Sequence, residues 1–412
     1  ENSGGAKEPT QAELVAVDFE PLPAMTSTEA AAKPGAVKVW DDAPDNVCFV
    51  ELIGDKAATD AAFAKADHVV KQKLVINRVT AATMEPRGAV GDYNAADERY
   101  TLYTAIQRPH PTRIDFAKMM RIRESKIRIV TNDTGGSFGM KSPIFNEMPL
   151  VLLASKVTGR PVKWISTRTE AFLSDAQARD NVTEAEMALD KNGIMLGFRV
   201  KTIAAIGAYL QTAMPAFVFN AGSLAGTYKT PAIHVDISAV FTHTNPIRPY
   251  RGNGRPEAGF VIERMVDCAA DELGIDPAEL RRRNYVPPSA MPYKTPLTFT
   301  WDCGEFEKNM DLAMQAADVK GSKARKAEAA TRGKLRGRQK PLRRPIDRRP
   351  IERRRFCRAA FLKRGTRRCQ RPRELLCLRR RERLGRRQLH RKAIDKTAHR
   401  YRALKIPIGL EA

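Results

Sequence analysis

Glycines, a glutamine, arginines and a lysine gather at the ends of apolar runs in this chain. Residue types of that kind in that setting can hold a polar or anionic ligand. The densest case is IVTNDTGGSFGMKSP, residues 129–143. Gly135, Gly136 and Gly139 accept backbone angles that a Cβ resists, so the main chain there either turns tightly or lets a ligand approach it. Two phosphate-binding patterns fail on this stretch. A P-loop needs Gly-Lys-Ser/Thr in succession, and Met140 separates Gly139 from Lys141. The dinucleotide fingerprint needs G-x-G-x-x-G, which these three glycines do not supply. A tight turn between strand and helix is the plain alternative.

Three further segments have the same character. In YTAIQRPHPTR (103–113) an apolar run ends at Gln107 before Pro109 and Pro111. In GRPVKWISTRTEAFLSDAQARD (159–180) a strand pattern runs into a polar turn. In NPIRPYRGNGRPEAGFVIERMVD (245–267) a Pro/Arg/Gly loop opens a helical pattern. Each puts polar side chains at the end of a regular element, where a fixed geometry is easily maintained.

The elements that must position them are mixed. Alternation and β-branched content predict strands at 99–106, 126–131, 161–166, 196–206 and 232–243. Helical periodicity predicts helices at 57–67, 113–120, 146–158, 257–273 and 305–317. Val261, Met265, Ala269 and Leu273 recur every four residues and predict a buried helix face. Asp276-Pro277 reads as a cap followed by Pro at the first helical position. The fold class expected is α+β (mixed α/β), without internal repeats.

At 412 residues the chain can bury large cores. No apolar run of about 18 residues occurs, so no membrane span is expected, and no signal-peptide pattern opens the chain. ELVAVDFEPLPA (13–24) alternates like a strand with no earlier partner, and the chain starts at Glu1 rather than Met; a longer natural N-terminus is expected. Cys48, Cys268, Cys303, Cys357, Cys369 and Cys377 form no C-x-x-C pair. Neither a zinc ribbon nor a Cys-ligated iron–sulfur cluster is indicated, and a reducing, cytoplasmic setting is expected.

The net charge of +24 is not spread evenly. Residues 321–412 hold 34 basic and 7 acidic residues, leaving 37 basic and 40 acidic in residues 1–320. Beyond Gly337 the sequence loses all periodicity, and arginine greatly outnumbers lysine. Three readings of this tail stay open: a wrong-frame translation of a GC-rich coding region, a disordered solvated tail, or a nucleic-acid-binding segment whose guanidiniums neutralise phosphates non-specifically.

Together, MEPRGAV (84–90), the strand end at Gln107, GGSFGMK (135–141), GRPVKW (159–164) and PYRGNGRPEA (249–258) carry a resemblance. The chain resembles the large, molybdopterin-binding subunit of the xanthine dehydrogenase, aldehyde oxidase and aerobic carbon monoxide dehydrogenase family of molybdenum hydroxylases, over roughly residues 1–337. The resemblance implies the end of an α/β hammerhead domain and linker in 1–35, a first molybdopterin-binding domain in 36–337, and the arginine-rich tail in 338–412. It implies a molybdenum–molybdopterin cofactor, with the cytosine dinucleotide among its forms. It further implies partner subunits, a small one with iron–sulfur clusters and a medium one with FAD, and a small-molecule substrate hydroxylated with water as the oxygen source.

Residue by residue, Gln107, Gly136, Phe138, Gly139 and Arg251 match cofactor-lining positions. Ser142, His234, Gly252 and Asn253 match substrate-facing ones. Carbon monoxide dehydrogenases proper carry Cys where this chain has Gly252, and the purine-oxidising branch carries Glu where it has Ser142. The general-base glutamate of the family and its second Gln-Gly-rich loop are not recognisable after Gly337. The chain as given is therefore expected to bind the cofactor poorly and to turn over little.

Overall fold

The computed structural model describes residues 18–43, 45–210 and 219–336. They lie within one unit, residues 1–339. The tail at 338–412 and residues 13–17 of the N-terminal alternating stretch fall outside the described residues. Residues 18–24 carry no strand; Pro21 and Pro23 lack the N–H groups that a ladder requires.

Two sheets organise this unit. The first takes strands β1 (Val47–Gly54), β2 (His68–Ile76), β9 (Asn181–Leu189), β10 (Met195–Gly207) and β11 (Ala232–Phe241), in the order β1-β11-β10-β9-β2. The second takes β4 (Gly88–Asn94), β5 (Arg99–Thr104), β6 (Ile127–Val130) and β7 (Val162–Ile165), in the order β6-β5-β4-β7. Between them in sequence, β3 (Val79–Thr80) and β8 (Gln177–Ala178) form a short antiparallel pair. β12 (Tyr293–Lys294) and β13 (Thr300–Trp301) make a small hairpin. The helices are α1 (Thr28–Ala31), α2 (Lys56–Ala64), α3 (Pro109–Met120), α4 (Glu147–Thr158), α5 (Arg168–Ser174), α6 (Arg255–Leu273), α7 (Pro277–Asn284), α8 (Phe306–Ala316) and α9 (Ser322–Thr331).

The large sheet packs on α6. Val261, Met265 and Ala269 are fully buried and Leu273 is half-buried, in the predicted four-residue rhythm. They meet Met187, Phe198, Val200, Val235 and Ile237 in one core. Burying each large side chain stabilises by about 1.5–3 kcal/mol. α6 closes at Gly274 in the left-handed region, and Asp276 caps α7 by accepting from the Ala278 and Glu279 N–H groups.

The small sheet packs on α3 and α4 through Ala89, Leu102, Phe116, Ile127, Val151 and Leu152. Gly91 lets the α4 backbone approach: a Cβ there would lie 2.4 Å from the Val151 carbonyl oxygen. α3 starts one turn earlier than its periodicity predicts, at Pro109. Proline tolerates a first helical turn because its missing N–H has no intrahelical partner there. β5 and β6 run parallel, so their C-terminal ends deliver Gln107 and the glycine-rich turn to the same edge of the sheet.

Among the described residues no helix is long and apolar enough to cross a membrane. Cys48, Cys268 and Cys303 are free thiols; burial pushes the Cys48 thiol up to about 11.

Candidate functional site

The turn after β6 is held from below by the MEPR segment. The Gly135 N–H donates to Glu85 Oε2 at 2.9 Å, and the Glu85 N–H returns a bond to the Gly135 carbonyl at 3.1 Å. Lys141 Nζ, 1% exposed, sits 2.6 Å from the same Glu85 oxygen. Partial burial would raise the Glu85 carboxyl, but the Lys141 and Gly135 bonds outweigh it and hold the carboxyl below its ordinary range. Two residues on, Arg87 is buried against Asp175 at 2.6 Å and Glu147 at 2.8 Å, its guanidinium 3.9 Å from the Phe145 ring centroid.

Gln107 enters from the end of β5. Its N–H donates to the Lys141 carbonyl at 3.1 Å. Its Oε1 accepts from Ser137 Oγ at 2.6 Å, and Ser137 Oγ accepts in turn from the Lys141 N–H at 3.0 Å. With Oε1 engaged, the Gln107 amide NH2 is the group left to bind something else.

Within the turn, Gly136 has φ +98° and Gly139 φ +107°. Phe138, a residue with a Cβ, has φ +54° and is 46% exposed. A left-handed non-glycine residue costs roughly 1–2 kcal/mol. An exposed aromatic ring kept in that strained backbone points to a function for the ring's position. Between the Gly135 and Lys141 N–H groups, those of Gly136, Ser137, Phe138 and Gly139 meet no acceptor within the turn's own hydrogen bonds. Bare N–H groups on a turn of this kind form a nest for electron-rich atoms.

The third segment closes on the turn from the loop before α6. The Arg251 N–H donates to the Phe138 carbonyl at 2.9 Å. At Gly139 a Cβ would lie 1.9 Å from the Pro249 carbonyl oxygen, so only glycine permits this approach. Gly252 (φ +101°), Asn253 (φ +54°) and Gly254 (φ +78°) are successively left-handed. Thus Gln107, Gly136, Phe138, Gly139 and Arg251 are brought together, with Gly252 and Asn253 adjoining. Ser142 lies beside the turn, its N–H bonded to the Gly139 carbonyl at 3.1 Å.

His234 is not brought there. It pairs with Arg199 and Gly54 near the start of β11. The loop toward Arg251 leaves from Phe241, about 23 Å further along at ~3.3 Å per residue. It is a sheet residue, and the structure does not bring it to the turn as the substrate-facing expectation would have it. Glu85, Ser137, Lys141, Arg179 and Glu257 were missed as site residues. All lie inside the quoted segments, but burial of a charged side chain leaves no periodic trace. Among the described residues no group of three or more His, Cys, Asp or Glu side chains is placed to ligate a metal directly. An open groove of about 450 Å³, lined by residues that include Glu85, Ala105, Asn132 and Trp164, adjoins the turn at Glu85.

Residues 39–285 match the family model of the molybdopterin cofactor-binding domain. The chain belongs to that family. It is 34% identical over 333 residues to the carbon monoxide dehydrogenase large chain of Hydrogenophaga pseudoflava, covering 76% of this chain and 41% of the relative. It is 33% identical to the 6-hydroxypseudooxynicotine dehydrogenase complex subunit gamma of Paenarthrobacter nicotinovorans, covering 74% and 39%. The fold matches the crystal structure of quinoline 2-oxidoreductase from Pseudomonas putida 86, with a TM-score of 0.72, 34% identity, and coverage of 78% of this chain and 41% of that one. The chain therefore spans about two fifths of the length of these relatives. The mixed α/β class and the family resemblance of the sequence are both borne out. These similarities lend no support to a nucleic-acid-binding role for the tail.

The turn's residues fit a molybdopterin in their donor set: the N–H groups of Gly136–Gly139 have no acceptor within the turn, and the exposed Gln107 keeps its amide NH2 for a ligand.

Proposed function

We propose that this chain supplies the first cofactor-binding wall of a molybdenum hydroxylase large subunit. The observation that carries the proposal is the interlocked path Gln107–Ser137–Phe138–Arg251, in which a hydrogen bond at 2.6 Å and another at 2.9 Å join three separated segments.

A molybdopterin bound there would supply the redox centre for oxidative hydroxylation of a small molecule, with water as the oxygen source. The main-chain N–H groups of Gly136–Gly139 would hold it by donating to its electron-rich atoms, while Gly139 itself lets the Pro249 carbonyl close on the turn. The Gln107 amide, fixed through its own Oε1, would donate its N–H to the ligand. The Arg251 backbone is held by its N–H to the Phe138 carbonyl, and its exposed guanidinium would offer a cation to developing negative charge. The exposed Phe138 ring gives an apolar, water-excluding wall for a planar substrate.

The substrate class favoured is an aldehyde or N-heterocycle. Gly252 offers no thiol to a second metal, which argues against carbon monoxide, and Ser142 offers no carboxylate, which argues against a xanthine-like purine. Relatives with nicotine- and quinoline-directed names agree with this. The cofactor is molybdopterin in its plain or cytosine dinucleotide form. An iron–sulfur small subunit and an FAD medium subunit would carry electrons away, and a cytoplasmic setting suits them.

The general base and the second cofactor loop are expected outside the wall described here. Molybdenum and pterin content, with dye-reduction assays on aldehydes and N-heterocycles, tests the proposal on the purified chain. Weak cofactor retention with little or no turnover is expected. Robust turnover, or no cofactor binding even at saturating molybdopterin, would contradict it.

A further inference from the structure

From the contacts of Arg179 we infer that this residue is the positioning residue that fixes the Tyr250–Arg251 loop on the glycine turn, and through it the cofactor wall. The inference rests on the cofactor reading of that turn.

Arg179 and Asp180 lie between β8 and β9 with φ +71° and +77°, a left-handed pair without glycine. Such a pair persists only where its surroundings over-determine it. Asp180 accepts from Thr28 Oγ1 at 2.6 Å and from Arg78 Nε at 2.8 Å. These bonds anchor the bend and leave Arg179 to reach the other way. Its Nη1 meets Glu257 Oε1 at 2.6 Å, with the two side chains 10% and 1% exposed. Its Nη2 donates to the Arg251 carbonyl at 3.1 Å, and its guanidinium lies 5.2 Å from the Tyr250 ring centroid.

One planar fork thus ties a helix, a carbonyl and a ring. Glu257 stands in the first turn of α6, where the helix N-terminus favours a carboxylate. It is held by Arg179 through Oε1 as an anchor, while its buried Oε2 has no hydrogen-bond partner. Across the loop, the Arg251 N–H holds the Phe138 carbonyl. The Arg251 peptide is gripped on both sides, by Arg179 at its carbonyl and by the turn at its N–H. Lysine cannot replace this fork, because an ammonium lacks the two parallel, rigidly spaced donors.

The test compares Arg179→Lys and Arg179→Met with the wild-type 412-residue chain by hydrogen exchange, without and with added molybdopterin. Without cofactor, the Arg251 and Asn253 amides are expected to exchange about tenfold faster or more in both variants, the scale for losing a hydrogen bond to a charged donor. The Val235 and Ile237 amides of β11 are expected to stay at wild-type rates. Unchanged Arg251 exchange, or equal acceleration in β11, would overturn the inference. With molybdopterin, wild-type protection of Gly136–Gly139 should be lost in Arg179→Lys, and retention of full protection would also overturn it. If the wild type itself shows no protection, the cofactor reading fails while the exchange rates alone still decide the role of Arg179.

Discussion

Replacing Gly139 by alanine tests the meeting of two loops far apart in sequence. The alanine Cβ would lie 1.9 Å from the Pro249 carbonyl oxygen, whereas ordinary contact begins near 3.4 Å. The two backbones must therefore part by about 1.5 Å, the difference between those distances. Parting them breaks the Arg251 N–H bond to the Phe138 carbonyl, worth ~0.5–1.5 kcal/mol net. The φ of +107° adds the left-handed penalty of ~1–2 kcal/mol for a residue with a Cβ. The expected destabilisation is about 1.5–3.5 kcal/mol.

Gly159→Ala is the matched control. Gly159 has φ +65° and open space around it, so only the backbone penalty of ~1 kcal/mol applies. Urea unfolding followed by tryptophan fluorescence and far-ultraviolet circular dichroism gives both values. A Gly139→Ala variant within about 0.5 kcal/mol of Gly159→Ala would refute the loop–loop contact.

Asp175→Ala leaves the Arg87 guanidinium, 3% exposed, with the peripheral Glu147 as its remaining carboxylate beside the Ser174 hydroxyl; a loss of about 3–5 kcal/mol is expected, read as a lowered thermal midpoint. Met265→Ala opens a cavity in the α6 core and should cost about 2–5 kcal/mol by denaturant titration. Glu85 has its carboxyl held below its ordinary value of 4.5 by Lys141 and Gly135 against the opposing effect of burial. Its contribution is complete above that value and is lost as pH falls through the lower folded value. Wild type should thus lose stability more steeply below pH 4.5 than Glu85→Gln, and parallel acid limbs would show that the clamp contributes nothing.

The sequence made the helical faces and the turn legible, and it hid the sheet edges and the buried ions. The four-residue rhythm of Val261, Met265 and Ala269 marked α6, because a helix that buries one face must repeat at that spacing. β9 escaped, since its inward positions include Thr183 and Ala185. Thr183 is buried only because its hydroxyl pairs with Thr202 at 2.7 Å, a partnership no local window contains. β1, β2 and β4 were missed too; the two edge strands of the large sheet, β1 and β2, leave Val50, Leu52 and Val75 exposed.

At the site, the glycine spacing and the strand end at Gln107 were readable. The roles of Glu85, Lys141, Arg179 and Glu257 were not, since a buried ion pair is defined by what crosses the fold to meet it. His234 shows the converse. It stands in a plausible motif, but the pairing of β11 with β10 and β1 carries it to the wrong end of the sheet.

The central claim is that Gln107, the Gly136–Gly139 turn and the Arg251 loop form one wall that receives a molybdopterin. Hydrogen exchange of the whole 412-residue chain, with and without saturating molybdopterin released anaerobically from a molybdoenzyme, tests it most directly. Protection at Gln107, at 136–141 and at 250–253 together, with β11 around His234 unaffected, is the predicted result. Protection that spares any of the three segments, or that falls elsewhere, would contradict the account.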